Sequence, residues 1–226
     1  MLVSSVITAA GRNFRMEKSQ IQKGILLKNK LLLPFPSENS KKTVIETTIN
    51  NVLSADVDEC IVVLGHFADE IMDIIVDISD RRIKIVKNKN IDVGLSNSLL
   101  NGLNSCKNDH VLCVASDQPT VSTKTYNNII NTFLNLDSPK KTISILRRRN
   151  IGILNSAEGL GMPFIAEKNL LSDYLHSEND NLNPILRKIF DDNFCFYGVK
   201  EENDLELINI NDWNDYKFVL DNINDI

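Results

Sequence analysis

The chain of 226 residues contains no apolar run that approaches the roughly 20 residues a helix needs to cross a bilayer. Its first ten residues also lack the basic start and the length of a secretion signal. We therefore expect a cytoplasmic protein that does not act at a membrane.

Cysteine is scarce, and the four cysteines, Cys60, Cys106, Cys113 and Cys195, form no CxxC pair. Disulfide frameworks and zinc sites usually show closer spacing. Three of the four lie in or beside apolar runs. This pattern favours buried thiols in a reducing compartment, and no metal is assigned to cysteine.

A basic excess is also missing, because 25 Lys and Arg stand against 30 Asp and Glu, for a net charge of -5. Surfaces that bind nucleic acid generally show the opposite balance, so no nucleic-acid partner is expected. The sequence has no Pro/Gly/Ser linker, internal repeat or low-complexity block. A hydrophobic content of 42% supports one sizeable core, and we expect a single domain over residues 1–226.

Hydrophobic periodicity alternates between strand-like and helix-like segments. A continuous apolar run, typical of a strand covered on both faces, occurs at residues 60–64, and a buried strand is predicted at 111–115. Residues 2–7 form a short uncharged apolar run, and further strands are predicted at 82–86 and 142–146. Helical spacing of apolar residues occurs at 43–53, 68–78 and 120–134, and a last strand is predicted at 205–208 before a terminal helix. The alternation predicts an α/β fold with a mostly parallel sheet, whose loops gather on one edge.

The first strand runs directly into a turn of small residues, Ala9, Ala10 and Gly11, followed by Arg12 and Arg15. Small residues let backbone N–H groups approach a ligand closely, and guanidinium groups bind phosphate oxygens in a planar fork. The combination predicts a nucleotide site after the first strand.

A carboxylate is the strongest single candidate for chemistry. Asp117 follows the apolar run at 111–115, and Pro119 ends that strand and fixes the turn. Ligands of open α/β sheets bind outside the carboxyl ends of the strands. Asp117 should therefore lie at the same edge as the opening turn.

The segment AAGRNFRM, residues 9–16, resembles the amino-terminal signature of molybdenum cofactor cytidylyltransferases and guanylyltransferases, and further matches follow in the family's order. The resemblance implies a single-domain, Rossmann-like, three-layer fold of the nucleotide-diphospho-sugar transferase type. It also implies Mg²⁺ as cofactor, with Asp117 as metal ligand and Arg15 as ligand of the β and γ phosphates. Ser116 stands where the family has glycine.

The family's lysine, which offsets charge at the α-phosphate, precedes an apolar run and a proline. Lys30 of KLLLP matches that context, although residues 17–29 form a longer connection than usual. The extended loop suggests a lid over the triphosphate. Competing lysines in or near this loop are Lys18, Lys23 and Lys28.

Two further segments resemble the family near the nucleotide. VVLGHFADEI matches the second strand and its exit loop, which includes Gly65. His66 is more simply an ordinary loop histidine. The strand-end Asn88 and the string GLSNSL place Ser96 and Ser98 beside the base, where their hydroxyls could donate or accept hydrogen bonds. Helix capping alone is the alternative explanation.

On the acceptor side, Gly161 and Pro163 match the family's Gly-His-Pro, with Met162 in place of histidine. Ser177 and Asp180 match a segment that accompanies the pterin, whose glycines and arginine are missing here. Three arginines at 147–149 could attract an anionic acceptor or form a solvated edge.

The closing segment of the family contributes an Asn or Asp to the metal site. Asn211 is the first candidate for this role and Asn209 the second. From structural reasoning alone, Asn211 would be a helix N-cap.

Taken together, the motifs imply a Mg²⁺-dependent enzyme that transfers a nucleoside monophosphate to a phosphate-bearing small molecule. The AAG form of the turn favours CTP over GTP, and molybdopterin is the first acceptor. The second hypothesis keeps the reaction and replaces the acceptor by a sugar, alditol or other small phosphate. A third is a nucleotide-binding protein without catalysis.

Overall fold

The computed structural model describes residues 2–136, 141–147, 150–176 and 181–223. The first part of the chain contains β1 (Val3–Ala9), α1 (Phe14–Gln22), α2 (Val44–Leu53), β2 (Glu59–Leu64), α3 (Ala68–Val76), β3 (Ile83–Lys87), α4 (Leu95–Leu103), β4 (His110–Ala115) and α5 (Thr123–Leu134). The second part contains β5 (Thr142–Leu146), β6 (Gly152–Ile153), β7 (Phe164–Glu167), α6 (Lys168–Leu175), α7 (Leu182–Asp191), β8 (Cys195–Val199) and α8 (Trp213–Asn222). No helix within the described ranges is long and apolar enough to span a membrane.

The strands form one mixed sheet in the order β3-β2-β1-β4-β7-β5-β8-β6. β1 lies between its parallel neighbours β2 and β4, and β3 is parallel to β2. β7 is antiparallel to both β4 and β5, while β8 is parallel to β5 and antiparallel to β6. The predicted α/β class with a mostly parallel, Rossmann-like sheet is confirmed.

Helices cover both faces of the sheet. Along β1, Val3 and Ile7 pack into one hydrophobic core and Val6 packs into another, because successive side chains of a strand point to opposite faces. The first core includes apolar residues of α2, α3, α5 and α8, and the second those of α4, α6 and α7. The sheet is therefore the middle of three layers, as predicted.

The four cysteines are free thiols, and Cys60, Cys106 and Cys113 are buried. Burial raises the pKa of the Cys60 and Cys106 thiols to about 12. These thiols stay protonated near neutral pH and behave as small apolar side chains, as the sequence predicted.

The predicted strand at residues 205–208 is wrong, because this segment forms a 3₁₀ turn, Asp204–Leu207. The buried carboxylate of Glu206 accepts hydrogen bonds from Ser122 N at 2.9 Å and Thr125 Oγ1 at 2.6 Å. These bonds hold the turn against the start of α5, so Leu205 is buried without strand pairing. The last strand of the described chain is β8.

The connection after the opening turn is more regular than the predicted loop at residues 17–29. Its first part belongs to α1. The buried side chain of Gln20 then accepts from Lys28 N at 3.0 Å and donates to Lys28 O at 3.2 Å. These two bonds fold the remaining residues back onto the helix.

Helix α4 packs very closely on the sheet at Gly102. A Cβ built there would lie 2.4 Å from Val6 Cγ1 and 2.9 Å from Val63 Cγ2. Both valines are fully buried, so Gly102→Ala should lower the free energy of unfolding by about 1–3 kcal/mol through overpacking, which outweighs the gain in helix propensity. Urea denaturation measures the change.

Gly161→Ala is the control, because a Cβ added there would meet no atom within 4 Å. Its unfolding midpoint should stay at the wild-type value. Equal midpoints for the two variants would contradict the close packing of α4.

Candidate active site

The carboxyl ends of β1 and β4 open into a cavity of about 340 Å³. Residues from six parts of the chain reach it: the loop after β1 with the start of α1, the 3₁₀ turn at residues 30–32, the start of α4, the turn after β4, the loop before β7 and the segment before α8. The residues predicted from sequence that line it are Ala10, Gly11, Arg15, Lys30, Ser98, Asp117, Asn209 and Asn211. The structure thus brings the core of the predicted site together.

Asp117 is the meeting point of these segments. One carboxylate oxygen, Oδ2, lies 2.5 Å from Lys30 Nζ, and the other, Oδ1, accepts a hydrogen bond from Asn209 Nδ2 at 3.0 Å. The side chains of Lys30 and Asp117 are only 17% and 16% exposed. An ion pair this shielded is screened by salt much less than a surface pair.

The turn that carries Asp117 is fixed by its neighbours through its backbone. Asp117 O accepts from Ile210 N at 2.9 Å, which ties the turn to the segment before α8. From α2, Thr48 Oγ1 donates to Ser116 O at 3.2 Å and Asn51 Nδ2 donates to Pro119 O at 3.1 Å. The carboxylate therefore has a defined position before any ligand binds.

Asn13 is a residue of this site that the sequence analysis missed. It has a positive φ of 63°, lines the cavity and accepts a hydrogen bond from Lys30 N at 3.1 Å. Asn29 supports the same segment, because its side chain accepts from Leu31 N at 3.0 Å at the start of a 3₁₀ turn. The tolerance of asparagine for left-handed backbone was the available signal.

The two arginines of the opening loop separate in the structure. Arg15 is exposed and lines the cavity. Arg12 lies outside the lining, where its guanidinium contacts Asp92 Oδ1 at 2.5 Å and His66 Nε2 at 3.1 Å. Arg12 thus connects the loops that follow β1, β2 and β3, and the structure does not bring this predicted nucleotide ligand to the cavity with Arg15.

On the base side, Ser98 lines the cavity together with Val93 and Leu95. Asn88 and Ser96 are buried behind the lining, and Asn88 Nδ2 donates to Ser98 Oγ at 2.9 Å. The structure therefore separates the two predicted serines, with Ser98 at the cavity and Ser96 inside the protein.

Gly65 and Ala9 lie outside the lining but support it. A Cβ added at Gly65 would lie 2.7 Å from Ala10 O, so glycine allows the exit loop of β2 to contact the opening turn directly. Ala9 is the buried last residue of β1. Both residues shape the backbone around the site rather than its surface.

The acceptor side differs more from the prediction. Met162 lines the cavity, while its predicted neighbours Gly161 and Pro163 lie outside the lining. Arg147 contacts Glu201, with Nε 2.5 Å from Oε2, and also lies outside it. Ser177, Asp180, Arg148 and Arg149 lie outside the described residues.

The donor set fits a hard cation. Among the described residues, no three or more His, Cys, Asp or Glu side chains form a group able to hold a metal ion. The cavity instead offers the carboxylate of Asp117 and the amides of Asn209 and Asn211. Mg²⁺ takes oxygen ligands and keeps several waters, so a carboxylate and one amide oxygen suffice on the protein side.

Asn211 is not the N-cap of α8. Asp212 occupies that position and forms a capping box with Asp215. Asn211 instead donates from Nδ2 to Asn209 O at 3.2 Å. With the helix capped by its neighbour, the Asn211 side chain remains at the cavity.

Comparison with known families identifies the family of the chain. The model described as "MobA-like NTP transferase domain" matches residues 5–193. The chain belongs to the MobA-like nucleotidyltransferase family. The match spans the opening turn, Lys30 and Asp117. It covers every segment that lines the cavity except the one before α8.

Solved structures agree with the family assignment. A nucleotidyl transferase from Methanothermobacter thermautotroptrophicus superposes with a TM-score of 0.90 at 40% identity, covering 99% of this chain and 98% of that one. A 4-diphosphocytidyl-2C-methyl-D-erythritol synthase from Anaerococcus prevotii has a TM-score of 0.68 at 19% identity, covering 99% and 96% of the two chains, and shares the fold.

A bifunctional protein from another organism is similar over part of the chain. The bifunctional protein GlmU of Francisella philomiragia is 29% identical over 130 residues. The aligned region is 58% of this chain and 25% of that protein.

We expect Asn13→Gly to reduce nucleotide turnover. Glycine adopts the positive φ without strain but cannot accept the hydrogen bond from Lys30 N, so Lys30 loses its fixed position. A shift of about 1 Å in such a group can cost up to about 100-fold in rate. Steady-state rates of pyrophosphate release measure the loss.

Asn193→Gly is the matched control, because Asn193 has the same φ of 63° at the end of α7, outside the cavity lining. Its rate should equal that of the wild type. Equal rates in the Asn13 variant would show that Lys30 does not depend on this bond.

Proposed function

We propose that this nucleotidyltransferase moves a nucleoside monophosphate, with CTP as the favoured donor, to the phosphate of a small-molecule acceptor and releases pyrophosphate. The observation that carries the proposal is the convergence of Arg15, Lys30, Asp117 and Ser98 on one cavity. Positive groups, a carboxylate and a polar group for the base thus surround one space of nucleotide size.

The proposed reaction needs no protein nucleophile. An oxygen of the acceptor phosphate attacks the α-phosphorus in line, the bond to the bridging oxygen breaks, and the electron pair leaves with pyrophosphate. Catalysis then consists of positioning the phosphates and offsetting their growing charge. The fixed position of the Asp117 turn serves this purpose, because the backbone that carries the carboxylate does not have to move during the reaction.

The position of each cavity residue indicates its role in the proposed reaction. Arg15, exposed at the mouth of the cavity, holds the departing β and γ phosphates. Lys30 exchanges its contact with Asp117 for the α-phosphate, where its charge offsets the charge that develops. The small backbone of Ala10 and Gly11 accommodates ribose and base.

Asp117, with Asn209 or Asn211, would hold Mg²⁺. When bound, this cation would neutralise phosphate charge and favour attack at phosphorus. In the structure, Asn209 directs its Nδ2 toward Asp117, so a role as ligand requires its amide to turn over. Asn211 is the other candidate, and the choice between them is a proposal to be tested by separate variants.

Two acceptor classes follow from different observations. Molybdopterin follows from the resemblance of the opening loop and of SDQP to cytidylyl and guanylyl enzymes of the molybdenum cofactor. A sugar or alditol phosphate follows from the departures of this chain from the molybdenum cofactor enzymes, which are the altered sequence at 177–184 and Met162, which lines the cavity in place of their histidine. A purely nucleotide-binding protein has no specific observation in its favour.

Pyrophosphate release tests the reaction. The protein is incubated with Mg²⁺, each of the four ribonucleoside triphosphates, and either molybdopterin or a panel of sugar and alditol phosphates. We expect release with CTP and one acceptor class, and its loss when the cation is chelated. Binding of triphosphate without release for any acceptor would contradict the proposal.

Asp117→Ala tests the role of the carboxylate. The variant should lose at least about 100-fold in turnover, because both the metal ligand and the partner of Lys30 are removed. Its far-UV circular dichroism should stay unchanged, since the turn is held through backbone bonds.

Asp69→Asn is the matched control, because Asp69 also pairs with a lysine, Lys87 at 2.8 Å, but lies on the exposed surface of α3. It should keep the wild-type rate. Full activity in Asp117→Ala would end the metal assignment.

A further inference from the structure

Arg12, His66 and Asp92 form a cluster of side chains beside the cavity, and each comes from the loop after a different strand of the sheet. Arg12 Nη2 lies 2.5 Å from Asp92 Oδ1, and Arg12 Nε donates to His66 Nε2 at 3.1 Å. His66 Nε2 is also 3.5 Å from Asp92 Oδ1. The guanidinium of Arg12 is therefore the centre of the cluster.

Two further contacts support the Arg12 side of the cluster. The guanidinium carbon of Arg12 lies 5.7 Å from the centroid of the Phe14 ring, within the range of a cation–π contact. The loop that carries His66 also contacts the opening turn, because a Cβ added at Gly65 would lie 2.7 Å from Ala10 O. A ring, an imidazole and a carboxylate thus hold the guanidinium in one place.

The contact between Arg12 and Asp92 joins two walls of the cavity. The lining residue Gly11 directly precedes Arg12, and the lining residue Val93 directly follows Asp92. Both segments form neither helix nor strand, so side-chain bonds have a large share in fixing their backbone. The contact therefore influences how far apart the two walls lie.

We propose that Arg12 is a positioning residue, which holds the loops after β1, β2 and β3 together and keeps the cavity at the width that a nucleotide needs. Arg12 acts through Asp92 and His66 and does not contact the substrate. The inference rests on the proposed function, because the ligand whose binding it controls is the triphosphate. The two arginines of the opening loop then have different roles, since Arg15 lines the cavity and Arg12 shapes it.

The exposure of the cluster limits its effect to these loops. The side chains of Arg12 and Asp92 are 46% and 60% exposed. Ion pairs this exposed contribute little to the stability of a whole fold, because solvent and salt screen them. Variants of the cluster should therefore unfold at the wild-type urea concentration and differ from the wild type in the arrangement of the loops.

Asp92→Asn separates this proposal from direct contact between Arg12 and the nucleotide, because the two give opposite results. The variant removes a carboxylate near an anionic ligand and releases Arg12 from its partner. If Arg12 bound phosphate, both changes would tighten the binding of triphosphate. If Arg12 acts by position, binding weakens, because the segment of Val93 loses its connection to the opening loop.

Calorimetric titration with the Mg²⁺ complexes of CTP, GTP, ATP and UTP measures the affinity without the need for an acceptor, and the tightest of the four is carried through the variants. We expect Asp92→Asn and Arg12→Gln each to weaken binding by about three- to tenfold. The double variant should bind within about twofold of Arg12→Gln, because all three variants remove the same contact.

Hydrogen exchange of the free protein tests the same contact without any nucleotide. Backbone amides at residues 88–94 should exchange faster in Arg12→Gln and in Asp92→Asn than in the wild type. Glu38→Gln is the matched control, because Glu38 pairs with Lys217 at 2.8 Å at nearly the same exposure, 59% and 41%, outside the cavity lining. It should leave both the affinity and the exchange rates at their wild-type values.

The outcomes are distinct. Tighter or unchanged binding of triphosphate by Asp92→Asn, or a double variant that shows the full sum of the two single losses, would overturn the role of Arg12 and leave nucleotidyl transfer intact. Failure of all four triphosphates to bind the wild type would overturn the proposed function. The exchange rates of the free protein would then decide whether Arg12 holds the loops together.

Discussion

The ion pair between Lys30 and Asp117 is the interaction on which the site depends. It joins two segments that are 87 residues apart in the sequence, and both side chains are largely withdrawn from water. Such a pair contributes little net stability, because the cost of desolvating two charges offsets most of their attraction. The ion pair matters because of its position. It holds a cation and a carboxylate side by side at the cavity, where a charged ligand can separate the two groups.

The side chains around this ion pair are mainly asparagines rather than charged residues. Asn13, Asn29, Asn209 and Asn211 all line the cavity, and each of the first three bonds directly to Lys30, to its 3₁₀ turn or to Asp117. An amide holds a backbone or side chain in place through hydrogen bonds without adding a charge. The supporting groups therefore leave the balance of charge to Arg15, Lys30 and Asp117, and an anionic triphosphate meets no further carboxylate in the described lining.

Strands β2 and β4 were predictable because each contains an uninterrupted apolar run that the sheet buries on both faces. The segment at 205–208 is also mostly apolar, but its Glu206 bonds to the start of α5 and holds the segment in a 3₁₀ turn, which apolar content alone does not show. Helix α1 was not predicted, because its residues are mostly polar. Among the site residues, Arg12 and Arg15 look equivalent in sequence, and only the position of Asp92 shows which of them is already bound.

Buried neighbours explain why similar residues of the predicted site take different positions. Lys30 was chosen over Lys18, Lys23 and Lys28 for its apolar context, and in the structure the buried Leu31 and Leu33 fix that segment in the core, so Lys30 has one direction open to it. Ser98 and Ser96 are two residues apart on one helix, which turns about 200° between them and places one at the cavity and the other inside. A polar side chain can act at the cavity when the packing of its neighbours leaves it no other orientation. The apolar residues beside it in the sequence produce that packing.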